Sequence, residues 1–473
     1  MSQRHRKRKN SGAQTLLTVL IVILIALTGL VVFLCVNLAL NPSRSTVQGN
    51  PNVTIAPGNT TQGTTAPETT APPEPTAPEV VNRGTILSTG DVLMHIQLIR
   101  SGLQEDGSYN YDYMFRFIKD YVESADLAMA NLETTTAGPA KPYQGNPLFN
   151  CPDEIDDALK NAGFDVLMTA NNHCFDTTAD GFLRTIEVAR SKGFDVIGTM
   201  ATAEEPKYII KDVGGIKVGI VCYTYETSDG TGSYPSMNGN PMVGLSYGHI
   251  NSYVPSNPQK MYTELEQYIA EMKAAGAEAT MIQIHWGPQE YALTQPAAHV
   301  AMAQKFCDLG FDVVVGGHPH VVQPMDLLTS TTDPEHKTVV LYSMGNAVSN
   351  QRTGLISAAP AGYTEDGVLY SVTFEKNSLG EVYVADTNIL PTWVNLVDGK
   401  YDILPLDKEK EDSWESLFGI SGTTLQAAKD SYDRTMGLVG EGLQKCQDWI
   451  SEGLAYRQNP ENYLDVPAMD QAA

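Results

Sequence analysis

From Thr85 onward, apolar runs of strand length alternate with stretches whose apolar residues recur at helical spacing. TILSTGD (85–91) predicts a strand, and YDYMFRFIKDYVESA (111–125) predicts one amphipathic helix. DLAMANLE (126–133) is the next strand. The helix PDEIDDALKNAG (152–163) follows, with acids in its first turn and Gly163 at its end. FDVLMTANN (164–172), a helix over 180–192 and FDVIGT (194–199) continue the alternation. KYIIKDV and IKVGIVCYT, joined by Gly214-Gly215, predict a hairpin that breaks a pure βαβ order. The Gly/Ser/Asn/Pro-rich loop 226–258 has the length of a lid or substrate loop. Beyond it come a helix over 259–275, the strand ATMIQIHW, a helix over 296–309 and the strand FDVVVGGH. TVVLYSMGN, GVLYSVTFEK and EVYVADTNIL predict further strands, the later ones antiparallel. This mixed order predicts an α/β sandwich of two sheets with helices outside, over residues 83–405. The extension 406–473 is polar, with helix-like apolar spacing between 417 and 443, and carries no visible chemistry.

The pattern before Thr85 differs. Residues 1–15 open with five Lys/Arg and no acid, and residues 16–40 carry no charged side chain. As a helix the latter would be about 37 Å long, enough for a hydrocarbon core of about 30 Å. A cleavable signal peptide usually has an apolar stretch of only ~7–15 residues, so an uncleaved anchor is expected. The basic end stays cytoplasmic by the positive-inside rule, which places the remaining chain outside the cell membrane. Residues 41–82, including TTAPETTAPPEPTAPE, lack the apolar side chains to form a core and are expected to be a disordered linker. Removing the five basic N-terminal residues from the formal charge of −24 leaves −29, which disfavours nucleic acid as a partner. The six cysteines show no CxxC spacing, and a region of this size needs no disulfide scaffold.

Six clusters carry metal-ligand chemistry, the last five directly after apolar runs: Gly90-Asp91, Asn131-Leu132-Glu133, Asn171-Asn172-His173 with Asp176, His285 with Glu290, His318 with His320, and Gly345-Asn346. Groups remote in sequence meet at one edge of a sheet when each follows its strand. A Gly-Asp pair is common in turns, so Asp91 alone says little. Glu133 suits a carboxylate bridging two cations, or a solvated strand end. Asn172 and His173 pair an amide oxygen with an imidazole, and Asp176 stands where it can orient that imidazole through its second nitrogen. His285 ends a strand, with Glu290 in the following turn; Trp286 and Tyr291 are pocket walls or ordinary core. In GGHPH, paired glycines precede two histidines around Pro319, a tight loop presenting both rings. Mixed nitrogen and oxygen donors suit Zn, Mn or Fe rather than a closed thiolate site. His95 is either a ligand or a half-buried bystander, and Cys174 reads as a packed thiol.

These motifs in this order (GDVLM, ANLE, TANNH with Asp176, HWGPQEY, GGHPHVVQ and YSMGN) resemble the CapA-type proteins of bacterial capsule and poly-γ-glutamate synthesis, a branch of the calcineurin-like metallophosphatase superfamily. The resemblance covers about residues 86–389. It implies a metallophosphatase-like four-layer sandwich and one or two divalent ions. Asp91 would bind the first ion, Glu133 would bridge, Asn172, His285 and His318 would hold the second, and His320 would return to the first. His173 would be the catalytic imidazole. Two departures from the phosphatase pattern touch the first ion: Leu93 stands where Asp-x-His places its histidine, and NLE replaces Gly-Asp-x-x-Asp. The resemblance implies either a metal-dependent hydrolase or transferase, or a polymer-binding component working with membrane synthase partners on an anionic chain such as poly-γ-glutamate.

Overall fold

A computed structural model describes residues 76–463 apart from Asp229, all within one compact unit, Pro73–Ala473. The basic segment 1–15, the expected anchor 16–40 and the linker up to residue 75 lie outside the described residues. Among the described residues, no helix is long and apolar enough to cross a membrane.

The first sheet contains β1 (Val80–Val92), β2 (Leu127–Leu132), β3 (Val166–Met168) and β4 (Asp195–Ile197), which run parallel. The second is built on the hairpin β5 (Tyr208–Val213) and β6 (Ile216–Tyr225). The long loop after β6 holds the ribbon β7 (Ser236–Met237) and β8 (Asn240–Pro241), then β9 (Ser252–Tyr253), which pairs with the end of β6. Next come β10 (Ala279–His285), β11 (Val313–Gly317), β12 (Val322–Thr329) and β13 (Lys337–Met344). The chain then returns to the first sheet through β14 (Asn346–Val348), β15 (Asp366–Asn377), β16 (Val382–Val397) and β17 (Lys400–Pro405). Among the described residues the first sheet runs β17-β16-β15-β1-β2-β3-β4, with β14 beside β1. The second runs β12-β13-β11-β10-β6-β5. Both are mixed, so the expected α/β architecture with two mixed sheets is what forms.

The helices are α1 (Ile96–Ser101), α2 (Asp112–Phe115), α3 (Lys119–Glu123), α4 (Glu154–Asn161), α5 (Thr178–Ser191), α6 (Gln259–Ala274), α7 (Ala297–Leu309), α8 (Trp414–Phe418) and α9 (Gly422–Gln458). Strand alternation decides what they cover. Leu87 of β1 faces a core shared with Leu98, Phe115, Leu159 and Phe182 of the helices, whereas Ile86 faces the core between the sheets with Met129, Ile220, Met281 and Val315. The far side of the second sheet buries Ile282, Ile284 and Val314 against Leu265 of α6 and Phe306 of α7. The layers therefore run helix, sheet, sheet, helix.

Two details differ from the sequence expectation, and a third agrees with it. The segment 111–125 breaks into α2 and α3, with a turn at 116–118 that buries Ile118. β12 and β17 form where the apolar pattern predicts no strand. The helical spacing of the extension becomes α9, which lies across β12 and β16 and buries Val439, Leu443, Cys446 and Ile450. The five cysteines among the described residues are buried and free.

Candidate metal centre

Parallel strands of both sheets end at one pole, and the chemistry of the sequence clusters collects there, as expected at strand carboxyl ends. Asp91 is the penultimate residue of β1, Glu133 follows β2, the Asn171–Asp176 turn follows β3, His285 ends β10, and His318 and His320 follow β11. Close backbone approach brings the two sheets together. A Cβ on Gly90 would stand 1.9 Å from the Gly345 carbonyl oxygen, and one on Gly317 would stand 3.2 Å from Asp91 Oδ1. In the GGHPH loop His318 (φ 92°) and His320 (φ 57°) occupy left-handed backbone. Residues held there store about 1–3 kcal/mol of strain each, which the surrounding structure must offset.

Eight of the nine expected site residues converge. Two groups of ligand atoms, each within 4.8 Å of one another, share Glu133: one adds His285 and His318, the other Asp91 and His320. Asn172 joins the first, its Oδ1 2.7 Å from His285 Nε2, with His318 Nδ1 3.3 Å from the same nitrogen. Glu133 decides what these groups can be. It is fully buried, neither carboxylate oxygen has a hydrogen-bond partner, and the nearest imidazole nitrogens stand 3.4 and 3.9 Å away. A buried carboxylate without donors costs several kcal/mol unless a cation faces it. His318 Nε2 is likewise buried and unpartnered. Burial and repulsion from His285 and His320 hold the His318 pKa well below the ordinary histidine range, so the ring stays neutral and one of its nitrogens keeps a free lone pair. The donor set therefore fits one or two divalent cations.

Neighbouring amides hold the Asp91–His320 group. Asn131 Nδ2 donates to Asp91 Oδ1 at 2.7 Å, and Asn171 Nδ2 donates to Asn131 Oδ1 at 3.1 Å. His320 Nδ1 lies 3.1 Å from both Asp91 Oδ2 and Asn346 Oδ1. Burial works against the charged ring of His320, but the Glu133 charge and the Asp91 hydrogen bond lift its pKa to about 9. His173 stands beside the two groups. Its Nδ1–H donates to Asp176 Oδ2 at 2.8 Å, and Phe149 N–H donates to the same oxygen at 2.6 Å. Burial opposes the imidazolium, yet Asp176 raises the pKa of His173.

The ninth residue, Glu290, stays exposed on the loop after Trp286. His95 belongs to neither ligand group: its Nδ1 accepts the Asn350 N–H at 3.3 Å, and Phe149 packs between it and His173. Trp286 is core, fully buried with His299 stacked on it, whereas the Tyr291 ring lies 6.1 Å from His320 and its hydroxyl accepts from Gln351 Nε2. Sequence reasoning gives no role to Phe149 or to Tyr225, whose ring lies 4.8 Å from His318. Nothing in their local sequence marks either. Asn346 stands out in sequence beside Gly345, but only the fold gives it a partner in His320.

The family model for "Bacterial capsule synthesis protein PGA_cap" matches residues 85–351, more than half of the chain and every residue of both ligand groups. The chain belongs to the PGA_cap family. One relative of this PGA_cap chain, the capsule biosynthesis protein CapA of Bacillus anthracis, is 27% identical over 274 residues. The match takes in 56% of this chain and 60% of that protein, so the chain spans less than two thirds of its length. The PGA biosynthesis protein CapA of Bacillus subtilis (strain 168) is 23% identical over 340 residues, 69% of this chain and 78% of that protein. Among solved structures, the calcineurin-like phosphoesterase YfkN from Bacillus subtilis aligns over 75% of this chain and 98% of its own, at a TM-score of 0.36 and 16% identity. The Haemophilus influenzae NAD nucleotidase NadN aligns over 75% and 60%, at 0.36 and 13%.

Proposed function

We propose that the chain is a membrane-anchored, extracytoplasmic protein of capsule or poly-γ-glutamate biosynthesis, with a metallophosphatase-like fold whose site would hydrolyse a phosphoester or γ-glutamyl bond with water, or pass the phosphoryl or γ-glutamyl group to another acceptor. The observation that carries the reading is Glu133, buried, without donors and shared by two ligand groups. Asp91, Glu133 and His320 would hold one ion, and Glu133, Asn172, His285 and His318 the other. A divalent ion there supplies Lewis-acid polarisation of the substrate oxygen. The protein supplies the proton traffic. Asp176 fixes the His173 tautomer by taking Nδ1–H and favours the imidazolium, so Nε2 can hand a proton to the leaving oxygen or nitrogen. In the family setting the substrate is an anionic envelope polymer or its precursor, handled beside membrane synthase partners.

The test is metal content of the purified full chain by mass spectrometry, together with turnover of aryl phosphoesters and γ-glutamyl amides. Wild type should carry close to two transition-metal ions, His318→Ala should lose at least one, and His173→Ala should keep both while losing turnover by roughly 100-fold or more. A wild type without metal under replete conditions sinks the reading. Bound metal without turnover on any such bond turns it into a polymer-binding component.

A further inference from the structure

Asp91 and His320 are held in part by a backbone crossing that adds Gly367 to the Gly345-Asn346 motif. The Gly345 carbonyl accepts the Asp91 N–H at 3.1 Å, and Gly345 pairs with Gly367 in an isolated antiparallel bridge. The crossing is tight. A Cβ on Gly367 would stand 2.1 Å from the Asn346 carbonyl oxygen, and one on Gly345 would stand 2.7 Å from that of Asp366. The same strand entry touches Asn346 from the side, because the Thr364 carbonyl accepts Asn346 Nδ2 at 3.0 Å. Asn346 Oδ1 in turn takes part in holding His320 Nδ1. Whatever fixes residues 364–367 therefore fixes Asn346, the Gly345 carbonyl and, through them, two ligands.

That anchor comes from far along the chain. Asp366 is 1% exposed, and its carboxylate is gripped by α9: Arg434 Nε donates to Oδ2 at 2.8 Å, Arg434 Nη2 to Oδ1 at 2.7 Å and Ser431 Oγ to Oδ1 at 2.6 Å. A two-pronged guanidinium grip defines direction as well as charge. Both α9 residues lie outside the family-matched segment 85–351. We propose that Arg434, assisted by Ser431, is a positioning residue for the Asp91–Glu133–His320 metal position, acting through Asp366 and the Gly345–Gly367 bridge. The inference rests on the metal reading above and adds α9 to the apparatus of the site.

The experiment is a Zn²⁺ titration of the full chain against a chromophoric chelator, for wild type, Arg434→Gln, Arg434→Lys and Arg83→Gln. Arg83 pairs with Glu375 at the opposite ends of the same two strands, β1 and β15, so its variant reports general loosening of the sheet. The expected result is two zinc sites in wild type, with one of them weakened about 10–100-fold in Arg434→Gln, the range usual for residues that orient ligands. Arg434→Lys should recover part of the loss, and Arg83→Gln should match wild type. If Arg434→Gln does not fold, Ser431→Ala decides, with a smaller loss at the same site. Wild-type affinity at both sites in a folded Arg434→Gln overturns the inference, as does an equal loss in Arg83→Gln. A wild type that binds no zinc overturns the metal reading itself and removes the inference with it.

Discussion

Asp156 shares with Glu133 the condition of a fully buried carboxylate whose two oxygens have no hydrogen-bond partner, but it lies in α4, outside both ligand groups. Burial raises its pKa from 3.8 to about 8. The nearby charges of Asp153 and Asp157 add to the rise, and Lys192 and Arg184 offset only part of it. The folded chain thus keeps a proton that the unfolded chain gives up near pH 4. This contribution to stability is whole below about pH 4 and is lost as pH climbs toward 8, at ~1.4 kcal/mol for each pH unit of that climb. Urea midpoints should therefore fall between pH 5 and pH 8 in wild type and much less in Asp156→Asn; parallel pH profiles would remove Asp156 as the cause. The residues of the candidate site were legible because carboxylates, imidazoles and amides stand out at the ends of apolar runs. Phe149 and Tyr225 were not, since an aromatic beside an imidazole looks like any core aromatic until the fold brings them together. Asp156 was hidden for a related reason: the first turn of a helix is where an exposed acid is ordinarily found.

Element by element, the parallel strands and their following helices were readable from periodicity, while two of the edge strands, β12 and β17, were not. β12 contains Pro324 and Asp326, and β17 contains Asp402, so neither shows the apolar run that marks a buried strand. Their assignment depends on neighbours, β13 for one and β16 for the other. The break between α2 and α3 was equally invisible, because the apolar spacing of 111–125 continues through it. At the ligand pole, elements meet where side chains are absent. Gly367→Ala forces a methyl into the Asn346 carbonyl, and overpacking of this kind costs about 1–3 kcal/mol. The expected outcome is a lower thermal midpoint together with weaker zinc binding, read by calorimetry and titration on one sample. A variant that loses stability but keeps its zinc affinity would separate the bridge from the site.

At the scale of the molecule, α9 acts as a strap, crossing from β12 of one sheet to β16 of the other. Leu443 is 6% exposed within the core between the sheets, so Leu443→Ala should cost about 2–5 kcal/mol, seen as a lower urea midpoint for the whole unit. An early separate transition, with the main one unmoved, would instead show that α9 is stabilised independently. The helical spacing of the extension was legible in the sequence; the surface it covers was not, because spacing records periodicity and not destination. β1 has a different consequence. It carries the chain from Val80 to Asp91 through the middle of its sheet, about 36 Å at 3.3 Å per residue, and delivers the candidate ligand at the far end. A bead, label or fusion partner coupled through the amino-terminal side of Val80 is thus attached at the pole away from the ligands, a strand's length from the chemistry it is used to observe.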